Sequence, residues 1–462
     1  MDVLASPFAE ARLASEPGSA AGREVAFVEE RALVVVAAVV FLWGAVSARL
    51  ERADLTAPIV FTAIGAGLVA LDLVHPSSAP ETLKPLIEIT LVWVLFSDAA
   101  RVRVHDLRRD LGGIARLLSL GLPLTVLAGW GLALWLLPAL GVWLALLVGA
   151  ALAPTDAALG VPVVTNTTVP SRVRRLITVE SGLNDGIATP IVMLAITGAA
   201  AAVAGDSESS EVGGALVGLL IGVAVGGVVG FAGGWLLRWA RRRGWAAEDF
   251  VGVAVLALAL LAYLAALAAS GNGFVAAFCG GIAFGAAAGR RGAGELAFLE
   301  QTGSAVSLLV WLAFGAIAVP IVLDRLSWTV LLYAVLSLTL VRMVPVALSL
   351  IGSGMDRDTV LFIGWFGPRG LASLVFALLG LEAVGSAADE AVAVIAVTVF
   401  LSVLAHGVSA SPLAGRYGKA ASARGPESGG AVPDVPVRGL PRARVAPRDD
   451  PTAVGDGFPG RG

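Results

Sequence analysis

The chain has 462 residues, of which 57% are hydrophobic and only 15% charged, with a formal net charge of −3. Soluble globular chains carry more charge than this, so the composition excludes a water-soluble domain, and its slightly acidic balance gives no reason to expect a nucleic-acid partner. Apolar stretches of roughly 20 residues, enough to cross a ~30 Å hydrocarbon core, recur along almost the whole length.

In chain order, residues 1–30 are mixed in charge and slightly acidic. They lack the basic, apolar, small-residue succession of a cleaved signal peptide and read as an extracytoplasmic segment, with the first span as its own insertion signal. About thirteen spans follow within residues 31–410, centred near Ala38, Gly65, Val92, Ala128, Leu147, Pro190, Val223, Leu258, Gly280, Ala313, Val335, Ser373 and Val394. Alternate loops are rich in arginine: Arg49 and Arg52, then Arg101 to Arg109, Arg172 to Arg175, Arg238 to Arg243, Arg290 with Arg291, and Arg357. The loops between them hold little beyond Lys84 and Arg325, and residues 206–211 are purely acidic in their charge. Because cytoplasmic loops carry the excess of Lys and Arg, the alternation places the N-terminus outside and the C-terminus inside. Residues 411–462, rich in Pro, Gly, Ala and Arg, read as a disordered cytoplasmic tail.

The lone Cys279, in a glycine-rich span, can form neither an internal disulfide nor a thiolate metal site. His75, His105 and His406 fall at expected span ends or in loops and read as interfacial polar residues. Glycine runs such as Gly226-Gly227 and Gly280-Gly281 read as sites of close helix packing.

Charge inside the spans is the informative exception. In the fifth span, Ala153-Pro154-Thr155-Asp156 interrupts an apolar run; Pro154 lacks an N–H and clashes with the preceding turn, so the helix should break. Broken backbone at membrane depth is tolerated where it lines a cavity, and half-helix ends there can hold ions. In the sixth span stands Glu180-Ser181-Gly182-Leu183-Asn184-Asp185. Helical spacing puts Ser181 and Asp185 on one face, Glu180 and Asn184 on the next. A carboxylate at the centre of a span costs on the order of 2.5–3.5 kcal/mol and usually marks an ion or proton pathway. Burial raises a carboxylate pKa and a bound cation lowers it, so Asp185 is the expected site of competition between a proton and a cation. Hard oxygen donors suit an alkali cation better than a transition metal.

The twelfth span contains Gly364-Trp365-Phe366-Gly367-Pro368-Arg369-Gly370, where Pro368, Gly364 and Gly367 again favour a break. A mid-span arginine needs a counter-charge, and Glu180 is the expected partner of Arg369. The two interrupted spans would run in opposite directions, the inverted-repeat pattern of secondary transporters with crossed discontinuous helices.

Together these three motifs, in order and spacing, resemble the monovalent cation/proton antiporter family that includes the sodium/proton exchangers. The resemblance covers essentially the whole membrane part. It implies an all-helical antiporter fold with inverted repeats, a core domain moving against a dimerisation domain, and a homodimer in the plasma membrane with no cofactor. It also implies cation contact at Asp185 and Asp156 with oxygens from Thr155 and Ser181 beside Asn184, and a structural Glu180–Arg369 pair. The Asn184-Asp185 pair, where other members have two aspartates, implies electroneutral exchange of Na+, or K+ or Li+, for protons. The long regulatory tail of the animal exchangers is missing, and no enzymatic activity or organic substrate is expected. Two other classes use intramembrane carboxylates. An aspartyl protease calls for a Gly-x-Gly-Asp signature that the chain lacks. A sodium-coupled solute symporter calls for more polar or aromatic groups than these Ala-, Val- and Leu-rich spans offer.

Overall fold

The structure is a computed structural model that describes residues 20–51, 56–73, 79–102, 110–205, 208–289 and 292–423. His75 and His105 lie outside the described residues, as do Arg52, Arg103, Arg108, Arg109, Arg290 and Arg291 of the basic loops. Every described regular element is helical. In chain order the helices are α1 (Ala20–Glu51), α2 (Ala57–Ala70), α3 (Ala79–Arg101) and α4 (Leu111–Leu136, with a π turn over Leu117–Gly121). Next come α5 (Gly141–Ala151), the short α6 (Val161–Val164), α7 (Ser171–Ala204), α8 (Glu208–Arg242), α9 (Glu248–Ala268) and α10 (Gly273–Ala288). They are followed by α11 (Gly292–Arg325), α12 (Trp328–Ser349, interrupted at Thr339), α13 (Arg357–Trp365), α14 (Leu371–Val384) and α15 (Asp389–Ala423). All the expected span centres fall within helices. Among the described residues, 7 helices are long and apolar enough to cross a membrane, and shorter apolar helices such as Ala57–Ala70 and Gly273–Ala288 accompany them.

The last helix passes the expected boundary at residue 410, runs on to Ala423 and buries Ala414 and Tyr417. Tyr417 stacks on Phe362 and shares a 2.8 Å hydroxyl hydrogen bond with Thr359, so this last stretch packs against α13. Its alanines and glycines look like a linker in composition, yet they suit a helix that has a packed surface to lie on.

Packing follows the glycines. On α8, Gly222, Gly226, Gly230 and Gly234 recur every fourth residue, and a Cβ at each of the first three would strike main-chain atoms of Asn272, Ala276 or Gly280 on α10. With no side chain between them the two main chains touch, which gains dispersion contact where lipid offers no hydrophobic driving force. The opposite face of α8 exposes Leu220, Val228, Phe231 and Trp235, an apolar surface suited to hydrocarbon.

The buried apolar side chains form two clusters. The larger takes in Ala151 to Ala153 of the fifth span, Val192 of α7, Tyr333 of α12, Leu371 of α14 and Val399 of α15. The smaller takes in Val163 and Val164 of α6, Ile177 of α7, Val346 of α12, Ile363 of α13 and Ala410 of α15. These five spans, and α4 through Leu117 and Leu122, contribute to both clusters, and in the five the stretch between the two contributions holds Thr155 and Asp156, Glu180 to Asp185, Arg342, Arg369 and His406 respectively. This sets a polar layer inside an apolar body.

Candidate functional site: a crossing of two broken helices

Both predicted breaks are present. α5 ends at Ala151, and residues 153–156 are non-helical before a 3-10 turn over Ala157–Gly160. α13 ends at Trp365, residues 366–370 are non-helical, and α14 starts at Leu371. Irregular backbone here leaves N–H and C=O groups without helical partners, and in a membrane each must find one. They find each other: the Asp156 N–H donates to the Pro368 carbonyl at 2.7 Å, and Arg369 Nη1 donates to the Pro154 carbonyl at 3.1 Å. The Asp156 carboxylate lies at the N-terminus of α14, where Oδ2 accepts from the Leu371 N–H at 3.4 Å. That end of a helix carries partial positive charge and favours an anion. Gly370 makes the approach possible, because a Cβ there would collide with the Asp156 carboxylate. Gly367 is held as closely, between Thr155 and Arg342. Gly364 is not: a Cβ there would meet Met343 at an ordinary 3.6 Å.

The middle of α7 faces this crossing. Asn184 Nδ2 donates to Thr155 Oγ1 at 2.8 Å, and the Thr155 and Ser181 hydroxyls lie 2.9 Å apart. Asn184 takes one of the two Thr155 lone pairs, so either hydroxyl of the Thr155–Ser181 pair can donate to the other. Asn184 Oδ1 is buried and has no hydrogen-bond partner among the described residues, an acceptor that suits a cation. Asp185 is 8% exposed and follows Ser181 by one turn on the same face. Gly186 lets α7 lie against α10, since a Cβ there would enter the Phe278 ring. The predicted residues Thr155, Ser181 and Asn184 thus form one hydrogen-bonded group, Asp156 is fixed by the second break, and Asp185 stands on the face of α7 that carries Ser181.

The expected Glu180–Arg369 pair is not formed. Glu180 is gripped by Arg342 of α12, with Nη1 to Oε1 at 2.7 Å and Nη2 to Oε2 at 2.9 Å, and Arg342 is only 2% exposed. A planar fork meeting both carboxylate oxygens is the geometry arginine favours. Arg369, 0% exposed, instead spends its guanidinium on the Pro154 carbonyl, with Nε and Nη2 lacking hydrogen-bond partners among the described residues. Sequence reasoning overlooked Arg342 although its signal was present: a charge within the apolar run 328–349, three residues after the interruption at Thr339. His406 is the other correction. Rather than interfacial, it is 1% exposed inside α15, where it contacts Ser402 and the Trp365 carbonyl.

Two half-helices crossing at a polar layer, with buried acids and bases around them, are the arrangement of ion-carrying secondary transporters. A model of the transmembrane part of sodium/hydrogen exchangers matches residues 35–416, and the chain belongs to that family. The fold agrees. The chain is similar to the sodium proton antiporter MjNhaP1 from Methanocaldococcus jannaschii at pH 8, with a TM-score of 0.69 at 20% identity over 85% of this chain and 99% of that one. An electron-microscopy structure of the same antiporter gives a TM-score of 0.63 at 20% identity, over 84% and 97% of the two chains.

Proposed function

We propose that this chain exchanges one monovalent cation, Na+ foremost and otherwise K+ or Li+, for one proton by alternating access. It acts as a homodimer in the plasma membrane, with about thirteen crossings, its N-terminus outside and its arginine-rich loops in the cytoplasm. Membership of the sodium/hydrogen exchanger family supports cation/proton antiport. The observation that carries the stoichiometry is the charge inventory of the crossing: two buried guanidiniums, Arg342 and Arg369, stand among three carboxylates, Glu180, Asp156 and Asp185. One negative charge is in excess, and in a low-dielectric layer it must be neutralised. A single proton or a single alkali cation suffices.

Glu180 has its counter-charge in the fork of Arg342, and Asp156 has the partial positive charge at the start of α14. Asp185 then takes the proton or the cation, with hard oxygens from Asp156, Thr155, Ser181 and Asn184 available to the ion. Since one charge replaces one charge, the carrier is equally charged in both half-cycles, and exchange is electroneutral.

The test is proton flux in proteoliposomes carrying a lumenal pH dye, with NaCl, KCl or LiCl added, and with the voltage clamped by valinomycin and K+ in all but the KCl arm. Dye recovery that follows one cation and ignores the clamp is the expected result. A recovery that the clamp accelerates would overturn one-for-one exchange. No cation-dependent proton movement in folded protein would overturn antiport and direct attention to solute uptake.

A further inference from the structure

One face of α15 holds both rims of the second break. Ser402, His406 and Ser409 follow at helical spacing. Ser402 Oγ accepts the Arg369 N–H at 2.7 Å, on the far side of the break. His406 Nε2 lies 2.8 Å from the Trp365 carbonyl, on the near side. His406 Nδ1 lies 2.8 Å from the Ser402 carbonyl and 3.2 Å from Ser402 Oγ. Both ring nitrogens thus face carbonyls, which only accept, and a proton on Nε2 makes the bond across to Trp365. Trp365 is held twice more, by stacking on the imidazole at 5.2 Å and by its Nε1–H donating to Ser409 Oγ at 3.0 Å. Ser402 on the Arg369 N–H and His406 on the Trp365 carbonyl, one turn apart on α15, bracket residues 366–368.

From this geometry we infer that Ser402 and His406 are positioning residues of the exchange site, a clamp that sets cation affinity through the backbone of the second break. Residues 365 and 369 flank the Pro368 carbonyl, which takes the Asp156 N–H, and Arg369 itself holds the Pro154 carbonyl. Fixing the two rims therefore fixes Asp156 and Thr155. Neither Ser402 nor His406 touches the ion. Their effect on affinity travels through two main-chain hydrogen bonds, where displacements of about 1 Å are enough to spoil a site.

The inference rests on the antiport reading above, and the experiment separates the two. In the reconstituted full chain, His406→Leu and Ser402→Ala are expected to raise the half-saturating Na+ by about tenfold with a smaller change in maximal rate, the signature of lost binding. His406→Gln, whose amide can still donate to the Trp365 carbonyl, should restore half-saturation to within about twofold. The double variant His406→Leu with Ser402→Ala should be no worse than the poorer single variant, because one clamp is lost once. Unchanged half-saturation in His406→Leu, or a His406→Gln variant as poor as His406→Leu, would overturn the clamp. Should the parent protein move no protons with any alkali cation, antiport fails on its own. The clamp is then judged by amide hydrogen exchange over residues 364–371, which must be faster in His406→Leu than in His406→Gln; equal rates would refute it.

Discussion

The two broken spans use the same local grammar for opposite charges. In the first, Pro154 is followed by Asp156; in the second, Pro368 is followed at once by Arg369. Their surroundings differ. The first break leads only into a 3-10 turn and the four residues of α6, and its polar atoms are satisfied by the other break and by α7. The second leads into the fully helical α14 and is gripped from behind by α15. The difference teaches that proline and glycine open a helix, but what the opening does is set by the element behind it. The second break is the held partner. The first takes its position from it and presents the acid.

This asymmetry can be broken at several points. The largest effect is expected at Asp185: Asp185→Asn, unable to ionise, should abolish cation-dependent proton flux while leaving a folded, membrane-inserted protein. Flux at the parent level in that variant would remove the central assignment. Next comes the contact between the breaks. Gly370→Ala pushes a methyl group into the Asp156 carboxylate, and overpacking of this kind costs about 1–3 kcal/mol, so exchange should fall by about tenfold. Thermal unfolding in detergent ranks the two arginines. Arg342→Ala strands a buried Glu180, a loss of about 3–5 kcal/mol, whereas Arg369→Ala removes one hydrogen bond to a carbonyl and should lower the midpoint less. The reverse order would mean that Glu180 relies on Arg369 after all. The smallest effect is expected at Gly364→Ala, where Met343 leaves room. A loss of exchange there to match Gly370→Ala would show that helix flexibility, and not clearance around Asp156, explains the glycines of the second break.

Much of this was legible in the amino-acid sequence, for physical reasons that also mark where legibility stopped. Apolar runs reveal spans because hydrocarbon tolerates little else, and prolines at 154 and 368 reveal breaks because they remove an N–H in a place without water. Thr155, Ser181 and Asn184 stood out as polar groups among Ala, Val and Leu, and they do meet. Pairing was less accessible. Two buried arginines compete for Glu180, and local sequence carries no distance between α7 and α12 or α13. Arg369, flanked by glycine and proline, drew attention that Arg342 on a more ordinary helix did not. His406 was misplaced for a related reason. With the last span taken to stop at residue 410 it looked like an end residue, and only the packing of Tyr417 on α13, invisible to composition, carries the helix on and puts His406 in its interior.

The glycine seam between α8 and α10 has a mechanical consequence. A methyl group at Gly222, Gly226 or Gly230 would meet main-chain atoms of the facing segment, which no change of rotamer can move aside. A larger residue at any of the three would have to push the two helices apart, so the glycines fix the spacing of α8 and α10 at main-chain contact.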